Sequence, residues 1–167
     1  TAFHAIYGGL AAIGVTGDDA AAEAEAARRS VQMEPAHLAE ARARVAEGGY
    51  AEAVIRMMIL LADARGGVRR SRLARSNTLL TTEPPFVGMS PAARQAMIRE
   101  QTVIATLMRE EALTALPALL PEAVERRKAL AAVEHVAGPD DELGEPAREM
   151  LVRMRGILGL GPKIAAA

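Results

Sequence analysis

Three sets of side chains in this 167-residue chain have the types and spacing to do chemistry. Asp140, Asp141 and Glu142 stand together in GPDDELG, with Asp63 and Glu134 elsewhere. Their oxygens suit a hard cation such as calcium or magnesium, and they are the candidate metal ligands. GPDDELGEPARE lacks the alternating ligands and closing Glu of an EF-hand loop, and acids just ahead of a helix also serve as partners of its dipole. Arg65, Arg69, Arg70, Arg72 and Arg75 form the densest basic run, and no Asp or Glu falls between positions 65 and 75. A second run is Arg126, Arg127 and Lys128. Guanidinium forks pair with carboxylate or phosphate. No aromatic residues are interleaved to stack bases, so nucleic acid is not the expected partner. Arg69, Arg72 and Arg75 follow one another at intervals of three, which predicts neighbouring positions on an outward helix face that meets an acidic protein surface.

The remaining titratable groups read as structural. His4, His37 and His135 are far apart, and none has a ligand partner at helical spacing. Glu100, Glu110 and Glu111 make a carboxylate pair only if the fold brings them together. No nucleophile elbow, P-loop or dinucleotide fingerprint occurs. With no cysteine, the chain has no disulfide framework, thiolate metal site or cysteine nucleophile. The expectation is a non-enzymatic segment with no cofactor.

Whatever these residues do, helices must position them. Aromatics make up 2% of the chain while alanine contributes 36 residues. That balance disfavours a sheet and favours helix. The 20 basic and 21 acidic groups leave a net charge of -1, which gives no general pull toward nucleic acid or anionic membrane. No apolar run is long enough for a transmembrane helix, and the cytoplasm is the expected compartment. Thr16 and Asp19 have capping-box spacing and open an Ala-rich helix to about Glu34. Pro35 suits the first turn of the next helix, which Gly48-Gly49 stops. YAEAVIRMMILLADA, residues 50–64, is apolar on nearly every side and reads as the core helix. A basic helix follows over 68–80, then the loop TTEPPFVGMS. Ser90-Pro91 reads as N-cap and first residue of a helix to about Leu113. LPALLP reads as a turn, and a helix over 122–137 is expected to turn Ala123, Arg127, Leu130, Val133 and Ala137 to one side. A last helix begins near Pro146 and is apolar at Ala147, Met150, Leu151, Met154, Ile157 and Leu158.

The predicted fold is therefore all-α, a single irregular or orthogonal bundle of about seven helices without a sheet. Its parts are an apolar N-terminal segment (1–17), a first helical half (18–82), a loop (83–90), a second half (91–160) and a fraying tail (161–167). Because the chain opens on Thr1, it is expected to be a piece of a longer protein.

FHAIYGGLAAIGVTG and ARARVAEGGYAEAVIRMMILLADARGGV resemble the region after the hydrolase-like part of bacterial proteins described as polyhydroxyalkanoate synthetases, a family of unassigned function. The block REQTVIATLMREEALTALPALLPEAVERRKALAAVEHVAGPDDELGEPAREMLVRMRGIL is similar to the helical tellurite-resistance, TerB-like, domains. The resemblance implies a TerB-like bundle joined to an α/β-hydrolase domain. Polymer synthases of that class use a cysteine, so their chemistry maps onto no position of this chain. TerB-like domains are associated with acidic metal-binding residues, whereas the first interhelical loop here is the basic ADARGGVRR. Two functions are thus expected as rivals. One is an accessory module, linked to polyhydroxyalkanoate or hydroxyacyl metabolism, that contacts a protein partner, the hydrolase-like domain or another copy of itself. The other is a divalent-cation-binding stress module using Asp140, Asp141 and Glu142.

Overall fold

The computed structural model describes residues 35–65 and 70–162. The capping box at Thr16, the helix to Glu34, His4, Arg69 and the 163–167 tail lie outside the described residues. Among those described there are eight α-helices and no strand. They are α1 (Pro35–Arg44), α2 (Tyr50–Arg65), α3 (Arg70–Thr82), α4 (Pro91–Leu107), α5 (Arg109–Thr114), α6 (Leu116–Leu119), α7 (Ala123–Ala137) and α8 (Glu145–Ile157).

α2 is the hub. Its sequence leaves no wide polar stripe, so it can lower its free energy only by burying most of its circumference. It does so against α4, α7 and α8, with α5 and α6 closing the remaining side. Ala53, Val54, Met57 and Leu60 are fully inaccessible, and Ile55, Ile59 and Leu61 nearly so. Met58 is only half-buried at the edge of this core. α8 contributes Ala147, Met150 and Met154, with Leu158 just beyond its end, as its apolar spacing predicts. A second, smaller apolar cluster of Ala41, Ile104, Met108 and Ala112 joins α1, α4 and α5.

Several boundaries follow their local chemistry. The Ser90 hydroxyl accepts the Ala93 N–H at 3.1 Å, and Pro91 occupies the first helical position of α4. The helix expected over 91–113 is instead two, because Met108 leaves helical geometry at φ -136°, ψ 52°. Hydrogen bonds still bridge the bend, from Met108 N–H to Ile104 O and from Ala112 N–H to Met108 O. The bend places the Met108 side chain in the second cluster. LPALLP is not a simple turn but holds the short helix α6, with Pro117 in its first turn. TTEPPFVGMS contains a 3-10 turn, Phe86–Gly88, that inserts Phe86 into the core at 1% exposure. The inward face of α7 is Ala129, Leu130, Val133, Val136 and Ala137. Ala123 and Arg127, expected on that face, are exposed. No helix among the described residues is long and apolar enough to cross a membrane.

Two neighbouring substitutions separate the centre of α2 from its edge. Met57→Asp puts an unpaired carboxylate where no water reaches, and should cost several kcal/mol, comparable to the whole stability of a small domain. Met58→Asp should leave a folded protein with a lowered melting midpoint. Thermal unfolding followed by circular dichroism would show the contrast, and equal effects would place the hub helix wrongly.

Candidate functional site

Helices that end inside a bundle leave carbonyl oxygens with no partner of their own. In this chain arginines reach across from other helices to supply one, and the partial negative charge at each helix end favours them there. Arg72, in α3, is 3% exposed, and donates from Nε to Ala137 O at 3.1 Å and from Nη2 to Glu142 O at 2.7 Å. One turn on, Arg75 Nε donates to Val136 O at 3.1 Å. Both therefore close the C-terminal end of α7. The chain leaves that end through Gly138 at φ +89°, where any Cβ would also lie 2.5 Å from Arg75 Nη2. Arg94, on α4, donates from Nη1 to Leu80 O at 2.6 Å. The helical partner of that carbonyl would be residue 84, a proline with no N–H to give. Arg126, on α7, donates to Leu120 O at 2.6 Å and to Leu158 O at 3.3 Å, at the ends of α6 and α8.

Arg56 lies deepest, fully buried in the middle of α2. Its Nε donates to Gln101 Oε1 at 2.8 Å, and its Nη1 to Val45 O at 2.7 Å and Ala112 O at 3.3 Å. Val45 O needs this partner because the Gly49 N–H that would continue the helix donates to Glu52 Oε2 at 2.8 Å instead. Burial pulls the guanidinium down to about 10, against smaller upward pulls from Glu100 and Glu52.

The inward position of Arg72 and Arg75 corrects the expectation of an outward basic face. Helical spacing shows that they share a side but not which way that side turns. The acidic trio is also dispersed: Asp140 and Asp141 are exposed in a 3-10 turn, while Glu142 turns partly inward toward Gly138. No three His, Asp or Glu side chains converge to hold a metal among the described residues. His135 is exposed on α7, and Asp63 is half-buried on α2. Glu100 pairs with Arg44 at 2.6 Å and Glu110 with Arg153, so the fold does not make a carboxylate pair of them. The hydrogen bond from Arg153 holds the Glu110 carboxyl below the usual range. Glu111 is exposed, Arg127 is exposed, and Lys128 sits 5.1 Å above the Tyr50 ring.

Sequence reasoning missed a concave surface, formed by described residues, that can receive something. A cleft of about 620 Å³ runs between the end of α7 and α8. Its apolar lining includes Leu143, Leu151, Val152, Leu160 and Pro162. The charged groups along it are occupied: Arg155 bonds the half-buried Glu134, and Arg148 bonds Glu145 at 2.9 Å and Asp140 O at 3.3 Å. Val152 is 71% exposed beside it, and the surface at Gly156 is open, with nothing within 4 Å of where a Cβ would sit. With its charges already paired, the cleft is suited to bury apolar surface.

No protein-family model and no solved structure matches the chain. Over 124 residues it is 32% identical to "Uncharacterized protein in ackA 5'region" of Rhizobium meliloti. The match takes in 74% of this chain but only 17% of that protein's length.

The arginine ties are separable from surface pairs by measurement. Arg72→Met and Arg56→Met each strand buried carbonyls and should cost about 2–4 kcal/mol, whereas Arg148→Ala on the exposed rim should cost under about 0.5 kcal/mol. The Arg56 value lies below the ordinary guanidinium range, so above about pH 10 the unfolded chain holds that proton more firmly than the folded one. Its contribution to stability therefore rises with pH there. Chemical denaturation of wild type and Arg56→Met between pH 9 and about 11.5 should show a stability difference that widens with pH if the acceptors stay satisfied. A constant difference would mean that Arg56 stays fully charged in both states.

Proposed function

We propose that this bundle is a non-catalytic interaction module, and that the cleft beside α8 seats its partner. The observation carrying this reading is a largely apolar trough of about 620 Å³ with Val152 standing 71% exposed at its side. An isolated exposed valine needs no explanation, but one beside a concave apolar surface marks a place where burying a partner is favourable. The way the interior arginines are used supports the same reading. Arg56, Arg72, Arg75 and Arg94 each donate to main-chain carbonyls, which fixes the arrangement of helices and leaves those donors bound to the protein's own ends.

The partner in this proposal is an α/β-hydrolase-like domain of the same protein, and the setting is polyhydroxyalkanoate or hydroxyacyl metabolism in the bacterial cytoplasm. Supporting it are the resemblance of FHAIYGGLAAIGVTG and the α1–α2 region to segments that follow a hydrolase-like part, and the similarity to a much longer Rhizobium meliloti protein.

Reading the gene upstream of the Thr1 codon tests the context directly. An in-frame hydrolase-like domain is expected, and a different domain in that place would overturn the assignment. The surface is tested by Val152→Glu. Its exposure predicts a change in stability within about 0.5 kcal/mol, while a charge set into an apolar interface should weaken association with the hydrolase-like domain about tenfold or more. Calorimetric titration showing undiminished binding would remove the cleft from the interface.

A further inference from the structure

α7 and α8 run antiparallel, so the cleft between them is a groove with two ends. Arg126 of α7 reaches Leu158 O at one end, Arg155 bonds Glu134 midway, and Arg148 donates to Asp140 O at the other. On α7, Arg127, Ala131, Glu134 and Gly138 follow at intervals of four, three and four, which sets them in one line along the helix. Glu134 and Gly138 line the cleft, and Arg127 and Ala131 are exposed where the line continues. That line is about 16 Å long, the length of three helical turns. Across from it, Leu151, Val152 and Gly156 of α8 line the same cleft, and the open surface at Gly156 lets another backbone come close. Charge is distributed by position along this groove. In the middle, Glu134 and Arg155 neutralise each other with only 25% and 21% of their side chains exposed. The 3-10 turn at one end carries the exposed carboxylates of Asp140 and Asp141, and Arg148 near it is held by Glu145 at 2.9 Å. Arg127 stands at the other end, and makes no ion pair among the described residues.

We propose that the groove seats an amphipathic α-helix of the partner, about three turns long, with its N-terminus at Asp140 and Asp141 and its C-terminus at Arg127. This rests on the reading of the cleft as a protein-binding surface, and names the element that fills it. The middle of the groove offers apolar side chains and a pair that has already neutralised itself, so it favours an apolar stripe. The ends offer opposite charges, so the occupant must be positive at one end and negative at the other. An α-helix meets both demands by construction, through its one-sided apolar stripe and its macrodipole. An extended segment has no such dipole, and the described residues present no sheet edge for it to join. Apolar side chains at i, i+3 or i+4, and i+7 of the partner helix would enter the trough beside Val152. An acidic residue in its last turn would meet Arg127.

Displayed random peptides of about 16 residues, enough for four helical turns, test this on the full chain without any natural partner. Selection for the wild-type chain and against V152E should enrich sequences with apolar residues at i, i+3 or i+4, and i+7 and an Asp or Glu in the last turn. The most enriched peptide should gain helical circular dichroism on binding, and fluorescence anisotropy should show about tenfold weaker binding to V152E. R127E should weaken it about three- to fivefold at low salt, and a lysine in place of its last-turn acid should recover that loss with R127E but not with wild type. Enrichment of an alternating i, i+2 apolar pattern, or of no pattern, overturns the helix. Equal responses of wild type and R127E to the lysine exchange overturn its direction. The hydrolase-like domain gives a separate answer. If V152E weakens binding of that domain while no helical peptide is selected, the helix alone is wrong. If helical peptides fill the groove while that domain binds V152E undiminished, the choice of domain alone is wrong.

Discussion

The arrangement of this bundle depends on guanidinium groups meeting the carbonyl ends of helices. An Ala- and Leu-rich interior supplies hydrophobic free energy without much direction, because one alanine-lined face accepts another almost as well as a third. Arginine–carbonyl contacts are directional. Each joins the side chain of one helix to the last turn of another: α2 to α1 and α5, α3 to α7, α4 to α3, and α7 to α6 and α8. Lysine would serve poorly there, since its ammonium cannot spread donors over two carbonyls in a plane. The chain has 18 arginines and two lysines.

Much of the fold was legible because its elements announce themselves locally. The all-round apolar run of 50–64 predicts a central helix, and α2 is central. Ser90-Pro91 and Pro146 mark helix starts through hydrogen-bond chemistry confined to a few residues, and those starts stand where they mark them. What was not legible depends on distant partners. The bend at Met108 has no proline or glycine to signal it and exists because its side chain packs with Ala41 and Ala112. Phe86 looks like part of a proline-rich loop, and its burial is decided by the helices around it.

The candidate site shows the same division more sharply. Spacing correctly relates Arg72 to Arg75 on one side of a helix, but their direction is set by the end of α7, some 60 residues later. Two signals were nonetheless present. A lone arginine inside YAEAVIRMMILL had to find acceptors wherever its helix was buried, and Pro84 four residues after Leu80 guaranteed a carbonyl without its helical donor. The cleft beside α8 had no comparable signature, since it is bounded by residues that are unremarkable singly.

Gly138 ties these themes together in evolutionary terms. It is at once the exit of α7, a neighbour of the Arg75 guanidinium and part of the cleft wall. A residue with three such obligations has almost no neutral replacements, because any side chain there strains the backbone and displaces the guanidinium together. Change near this point is therefore channelled outward, to positions such as Val152 and Gly156 that face open space. The wall of the cleft can thus accept substitutions while the helix end beneath it cannot.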